Sequence, residues 1–533
     1  MIFDRTFHPD EANQAFTTGK LLETGHYAYK PTDHHGPTLY YAAAPLQKAF
    51  GHNDTASLDG NVLRCTPLVF AVLALVLAFL AVRKATKSVL SATFAAVLLA
   101  AAPIFMFYAT DFIQEMLLAS FSVAMLWSAV GYFHSFDQQT PTGGRRLKPG
   151  TWALFFGISA GLAFATKETS ILTFAAAALA APAVRFISPS ATNDKRLTAN
   201  HIVLAAFAFL LTAVLLFSAF CEDWGGVYNA FIAAPLSYFH RAAGDAAAGG
   251  ANWHVHPWWW YAKILFFPKD IIYSLVFIPL VVYPLLFRFR QSRFFAFLAL
   301  YSSVLFALYS IIPYKTPWCM LQVAVALILA YGVLLGEIAS KIRHGRIIAA
   351  TAFAMPLVVF AFADVYICCD PDSRDIPYNY AHASPQVKDL AACVDSAINS
   401  ALRNQKSTSA KASTSAKAST SAKATVDKTV DKTVDKPETR NQKPETQPFI
   451  AVALPACDTW PFPWYNRTLE HITGYWTDFS SLETLANNGI KPAVVVCPAE
   501  EGHKVMPLFP HLNRTRRFEM RPRVRIRVFW SEP

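Results

Sequence analysis

Long apolar blocks separated by short polar breaks fill most of the first 370 residues. CTPLVFAVLALVLAFLAV (65–82) and VLSATFAAVLLAAAPIFMFYAT (89–110) each approach or exceed the roughly 18 apolar residues that mark a membrane-spanning helix. About ten such spans are predicted: 65–82, 89–110, 112–133, 152–166, 170–187, 202–220, 258–287, 294–312, 317–335 and 347–367. The fourth and fifth are short and Ala-rich, and PKD at 268–270 interrupts the long seventh. One such block could be a buried core helix of a soluble enzyme, but a series of this length reads as a polytopic membrane protein.

Beyond the last block the pattern changes twice. STSAKA recurs three times over 407–424 and TVDK three times over 425–436, while RNQK stands at both 403–406 and 440–443. Such repeats cannot bury a core, so 403–447 is expected to be a disordered linker. FIAVAL (449–454) and AVVVC (493–497) then read as short buried strands, with LETLANNG (482–489) as a helix ending on Gly. RPRVRIRVFW (521–530) alternates like an edge strand. The expected organisation is a first outer loop with an acidic motif (1–63), a transmembrane helical domain (64–368), a connecting segment (369–402), the linker (403–447), and a small outer α/β domain (448–533).

Charge supplies the orientation. Only 16% of the 533 residues are charged, against about 25% in soluble domains. The net charge of +11 comes without any nucleic-acid-binding motif, and no nucleic-acid partner is expected. RKATK (83–87), RRLK (145–148), DKR (194–196), RFRQSR (288–293) and KIRHGR (341–346) fall at every second connection. By the positive-inside rule these are cytoplasmic, which places 1–63 and everything after about 368 outside. The protein is therefore expected in a cell or inner membrane with its C-terminal domain extracytoplasmic. A 63-residue outward segment with no preceding apolar helix is awkward to translocate. Either a first span upstream is missing or the first visible helix carries the segment across.

Polar side chains at membrane depth cost on the order of 2.5–3.5 kcal/mol each on insertion scales, so their placement carries information. Five outward connections bring ionisable groups toward one face: Asp10 and Glu11 followed by HHGPTLYY (34–41), Asp111 and Glu115, Lys167 and Glu168, HVH (254–256), and YKTPW (314–318). Each also has a plainer reading. One of the acidic pair could cap the amphipathic helix that follows. WWWY (258–261) reads as an aromatic belt at the membrane surface. HHG reads as a turn with one useful His, and HVH offers two ligands with no third acid at helical spacing. No cofactor is called for, and a divalent metal has no ligand set to support it. Eight scattered cysteines lack zinc-site spacing. A disulfide at Cys368–Cys369 or Cys457–Cys497 stays open.

The functional reading of these groups is transfer from a lipid-linked phosphate. A carboxylate can take the proton of an acceptor hydroxyl as general base. Lys167 and Lys315 can hold the leaving phosphate. No Walker loop or GxGxxG appears, so a soluble nucleotide is not the obvious donor.

HPDEANQAF (8–16), YAYKPTDHHGPTLYY (27–41), YATDFIQEMLL (108–118), ATKET (165–169), YKTPW (314–318) and WPFPWY (460–465), taken as an ordered set, resemble the GT-C membrane glycosyltransferases. These include the protein O-mannosyltransferases and the lipid A aminoarabinose transferases. The closest resemblance is to the subfamily named for association with flippase activity in archaeal and bacterial surface glycosylation. It covers about residues 5–370 and 448–498. It implies a GT-C-like helical membrane fold whose first span is absent here, and a polyprenyl- or dolichyl-phosphate sugar as donor. It also implies a glycan, lipid or protein acceptor, and Asp10 as catalytic base with Glu11 beside it. His35 falls where relatives carry a basic residue before a Pro-containing turn, and Glu115 matches the second acidic position. Thr110 stands where an Arg is expected. His34, Tyr40, Asp111, Glu168, His254, His256 and Tyr314 complete the candidate substrate site. The alternative reading is a flippase for lipid-linked sugars, or an accessory subunit of surface glycan assembly. A third is a non-enzymatic anchor with WPFPWY as a glycan platform, although packing of those rings in a core is the better reading.

Overall fold

A computed structural model describes residues 4–32, 35–136, 147–187, 198–242, 254–266, 292–415 and 447–531. The chain divides into two compact units, Met1–Arg5 with Gln14–Tyr380, and Thr6–Asn13 with Ala381–Pro533. The first helix, α1 (Pro9–Thr24), starts in the second unit's share of the chain and continues into the first's.

The first unit is helical. After α1 come α2 (Thr38–Ala49), α3 (Gly60–Thr86), α4 (Val89–Ala100), α5 (Pro103–Tyr108), α6 (Glu115–His134), α7 (Pro149–Phe164), α8 (Ser170–Ile187) and α9 (Ala199–Phe217). Then follow α10 (Trp224–Tyr228), α11 (Ala234–Ala242), α12 (Trp260–Phe266), α13 (Arg293–Ile311), α14 (Met320–Lys341) and α15 (Gly345–Cys369). Among the described residues six helices are long and apolar enough to span a bilayer: α3, α6, α9, α13, α14 with the preceding turn, and α15. Three shorter apolar helices, α4, α7 and α8, accompany them. The chain is a multi-pass membrane protein. Most of the seventh expected span, including PKD, lies outside the described residues.

The second expected span departs from a single helix. Pro103 opens α5 and forces Ala102 into an extended conformation (φ −72°, ψ 123°), so the helix breaks after Ala100. The third begins at Glu115 rather than 112. The corner between them carries Asp111.

Helices approach closely where side chains are smallest. Gly157 and Gly161 of α7 face Ala205, Phe209 and Thr212 of α9, with no room for a Cβ against the Ala205 and Phe209 carbonyls. Gly332 and Gly336 of α14 sit on Ala95 and Ser91 of α4 in the same way. Small residues four apart are how membrane helices gain packing contact where lipid supplies no hydrophobic drive. α14 is the axis of the unit, buried along nearly its whole length.

The second unit is a five-stranded mixed sheet in the order β2-β1-β3-β5-β4, with β1 (Ile450–Ala453), β2 (Thr473–Trp476), β3 (Val494–Pro498), β4 (Arg514–Arg521) and β5 (Val524–Trp530). β1 pairs in parallel with β2 and β3, while β3–β5 and β5–β4 are antiparallel. Alternation sorts the strands between two cores. Ile450, Val452, Val494 and Val496 pack under α16 (Gln386–Ser415), with its Val387, Leu390, Val394 and Ile398. Ala451, Ala453, Val495 and Cys497 pack on the other face with Leu482 of α17 (Ser480–Asn487). α16 runs on through the first residues of the low-complexity stretch.

One expectation changes here, and two open readings are decided. RPRVRIRVFW is not an edge strand, because β5 lies between β3 and β4. The edge is taken by Arg-rich β4, whose first four residues are exposed and whose charge blunts edge pairing. Cys368, Cys369 and Cys497 are free thiols. Successive residues on a helix such as α15 point about 100° apart, so neighbouring cysteines there cannot bridge. WPFPWY packs in a core, the better of its two sequence readings: Phe462, Pro463 and Trp464 are buried.

Candidate active site

Within the second unit, the WPFPWY turn holds the segment that leads to the acidic pair. Trp464 stacks on Phe7 at 4.4 Å, and the Phe7 N–H donates to the Tyr465 hydroxyl at 2.8 Å. Thr6 Oγ1 donates to the Ala383 carbonyl at 3.0 Å, and His382 Nε2 donates to the Thr6 carbonyl at 2.9 Å.

α1 then starts with a reciprocal cap. His8 is the N-cap, and its Nδ1 accepts the Asp10 N–H at 3.1 Å. The Glu11 carboxylate reaches back to the His8 N–H at 3.0 Å. This is a capping box with an imidazole in place of the usual hydroxyl. It separates two carboxylates that the sequence left as a pair. Glu11 is fully buried and holds the helix start. The Asp10 side chain is half exposed. Its Oδ2 stands 3.9 Å from His8 Nδ1, too far for a hydrogen bond to a nitrogen already accepting one.

Within the first unit, several of the polar connections between helices are joined by ion pairs. At the corner after α5, the Arg5 guanidinium donates to Asp111 Oδ1 at 3.0 Å and to the Thr110 carbonyl at 3.3 Å, and lies 4.1 Å over the Phe107 ring. Arg64, buried in α3, in turn donates to the Arg5 carbonyl at 2.9 Å. At the start of α6, Glu115 pairs with Lys167, both buried. Burial opposes charge on Lys167, but the Glu115 carboxylate outweighs it and holds the ammonium above its usual range.

One residue on, Glu168 accepts from the Tyr29 hydroxyl and pairs with His35 Nδ1 at 2.8 Å. Tyr238 of α11 is 3.0 Å from the same His35 nitrogen. Burial would raise the Glu168 carboxyl, but His35 and the Tyr29 hydrogen bond hold it down at about 2. The HGP turn reaches this point because Gly36 seats directly on the Ala165 carbonyl, where any side chain would collide. Thr38 then hydrogen-bonds Thr166 at 2.8 Å. Gln14, Tyr40 and Gln114 form a further buried hydrogen-bonded set.

The HVH and YKTPW segments join one another. Val255 bridges Tyr314 in antiparallel fashion, and the Lys315 N–H donates to the His254 carbonyl at 2.7 Å. His254 packs on Tyr314 at 4.6 Å, and His256 lies flat on Trp260 at 4.2 Å. Lys315 is 1% exposed, and its ammonium donates to the Ile312 carbonyl. Among the described residues no carboxylate pairs with it. Burial lowers its affinity for a proton, and burial and the nearby Lys315 do the same for His256.

The arrangement of helices and sheet can be compared with solved structures. ArnT from Cupriavidus metallidurans superposes with a TM-score of 0.61 at 14% identity, over 99% of this chain and 95% of that one in the apo state. The same protein bound to undecaprenyl phosphate gives 0.61, 14% and 99%, with 96% of its own chain covered. The chain has the GT-C fold. The archaeal oligosaccharyltransferase AglB from Archaeoglobus fulgidus, in complex with an inhibitory peptide and a dolichol-phosphate, matches at 0.52 and 13% identity over 93% of this chain and 66% of that one. No family model and no curated protein sequence matches the chain.

On this GT-C scaffold the sequence-derived candidates fall into distinct groups. Asp111, Glu115, Lys167, Glu168 and His35 are all engaged in buried or half-buried charge pairs. Tyr40 belongs to the Gln14–Gln114 set, and His254, His256, Tyr314 and Lys315 make one cluster. His34 lies outside the described residues. Of the three expected phosphate ligands, two already hold carboxylates, which leaves Lys315. Arg5, Tyr29 and Tyr238 were missed. The expected Arg near 110 has a counterpart from elsewhere in the chain, since Arg5 delivers its guanidinium to Thr110 and Asp111. Its only signal was its place just ahead of the acidic pair. Among the described residues no three His, Cys, Asp or Glu side chains are grouped to hold a metal ion.

Proposed function

We propose that the protein is an integral-membrane glycosyltransferase that takes a sugar from a polyprenyl-phosphate donor at the extracytoplasmic face, where its C-terminal unit also resides. The observation that carries this reading is Lys315, a buried cation with no described carboxylate partner on a GT-C scaffold. A buried ammonium without a counter-ion is costly, and an arriving phosphate would relieve that cost. Lys binds phosphate as a point charge, which suits a lipid phosphate carried in from the membrane.

In this reading Asp10 removes the proton from an acceptor hydroxyl, and the acceptor oxygen bonds to the anomeric carbon. The bond from that carbon to the phosphate oxygen breaks, prenyl phosphate leaves, and the sugar inverts. The ion pairs at Asp111, Glu115 and Glu168 keep the connecting loops in place. Charged groups collected at the ends of helices favour an enzyme over a lipid-linked-sugar flippase, which should carry them at mid-span.

The test is release of prenyl phosphate by purified protein in nanodiscs, against a panel of prenyl-phosphate sugars. Lys315→Met should raise the donor KM at least tenfold while the fold stays intact. Release by no member of the panel, together with flipping of labelled prenyl-phosphate sugar, would move the protein to the transporter reading.

A further inference from the structure

The segment after α9 carries a pattern that the proposed chemistry does not use. From Trp224 to Phe239 there is no Asp, Glu, Lys or Arg. α10, the π-helical turn Asn229–Ala233 and α11 run on as one element. Its large apolar side chains Trp224, Tyr228, Ile232, Leu236 and Phe239 are 49–74% exposed. Its small ones, Gly226, Ala230 and Ala234, are buried. Residues four apart drift around a 3.6-residue helix, and the wider π turn in the middle takes up that drift and keeps each stripe on one face.

The element also begins where a span ends. α9 stops at Phe217, and Ala219, Phe220 and Cys221 take left-handed φ values of 47°, 60° and 78°. This reverses the chain so sharply that Gly226 lies against the Phe217 carbonyl. Strain of this kind persists only where surrounding contacts enforce it. Here Asp223 N–H donates to the Ser218 carbonyl at 2.8 Å and Cys221 N–H to Ser218 Oγ at 2.9 Å. Two polar groups on the element reach the charged loops. Tyr238 is on His35, and Asn229 Nδ2 donates to the Tyr29 carbonyl at 2.9 Å. Tyr29 and His35 are the two partners of Glu168.

We propose that Trp224–Ala242 is an interfacial helix whose apolar stripe lies in the acyl–headgroup boundary of the bilayer, and that this seating holds the Glu168 node closed through Tyr238 and Asn229. The occupant is lipid because the stripe is uncharged, carries Trp and Tyr, and starts at the end of a membrane span. Seated so, the helix cannot lift without exposing five large side chains to water, and it keeps the HGP turn docked against the α7–α8 joint. This rests on the membrane fold and not on the proposed transfer reaction.

The test places the photo-crosslinker p-benzoylphenylalanine at Leu236 or Phe239, each an exposed position that tolerates a large apolar group. The full chain is reconstituted in phosphatidylcholine/phosphatidylglycerol nanodiscs, irradiated and analysed by mass spectrometry. Phospholipid adducts at both positions are expected. Cross-links to a second copy of the chain, or no adduct at either position, would overturn the lipid seat. The coupling is read separately by hydrogen exchange of Leu236→Glu/Phe239→Glu in the same nanodiscs. Amides over 35–41 should exchange roughly five- to tenfold faster, the loss of about one hydrogen bond of local stability, while α14 is unchanged. Unchanged exchange over 35–41 would overturn the coupling even where lipid adducts form.

Discussion

Glu168→Gln removes one charge from the node where the HGP turn meets the α7–α8 joint, and keeps an acceptor for Tyr29. The size of the effect follows from the position of its titration. Holding the carboxyl at about 2 rather than 4.5, at about 1.4 kcal/mol per pH unit, corresponds to roughly 3 kcal/mol of stabilisation of the charged state. The side chain is 9% exposed, so solvent screening removes little of it. The sign is set by the downward displacement. The contribution is fully present above pH 4.5 and is lost as pH falls from 4.5 toward 2. Thermal unfolding in nanodiscs at one scan rate should therefore show Glu168→Gln melting several degrees below the parent at pH 6, with the gap closing below pH 4.5. His35→Gln should lower the melting point too, and the double variant should fall short of the sum because the two groups act as one pair. A gap that stays constant down to pH 3, or simple additivity, would refute the assignment of that stability to the Glu168–His35 pair.

Three further outcomes follow from the same geometry. Lys167→Met leaves the Glu115 carboxylate buried without its cation and should cost about 3–5 kcal/mol, while Lys167→Met/Glu115→Leu should recover most of the loss in the same melting assay. Gly161→Val drives a branched side chain into α9 and should cost about 1–3 kcal/mol, seen as a lower melting point. Arg5→Ala should lower stability by more than Asp111→Asn, because it strips the Thr110 carbonyl as well as the Asp111 carboxylate of a buried donor; equal losses would show that the carbonyl contact contributes nothing.

The helices were legible wherever apolar residues ran long, because burial in lipid and burial in a membrane-protein core ask for the same composition. Pro103 broke a span that composition alone presented as continuous. The sheet was legible at β1 and β3, whose apolar runs are buried on both faces, but not at β4, where RTRRFEM carries too many charges to read as a strand. The acidic pair, the HGP turn and the ATKET and YKTPW joints could be found in sequence because ionisable groups are rare in this chain. Which carboxylate holds which cation could not, since those pairs join residues 50 to more than 130 positions apart. Nor could the sequence tell the buried, capping Glu11 from the half-exposed Asp10. That difference depends on His8, whose ring takes the role of a capping hydroxyl and hands the second half of the cap to Glu11.

Asp10 as the base is tested most directly by transfer from a prenyl-phosphate sugar by Asp10→Asn compared with Glu11→Gln in the same nanodiscs. Asp10→Asn should abolish turnover with the donor Kd and melting point unchanged, while Glu11→Gln keeps turnover and loses about 1 kcal/mol of stability. Full turnover by Asp10→Asn would remove Asp10 from the chemistry and leave the proposed transfer without its base.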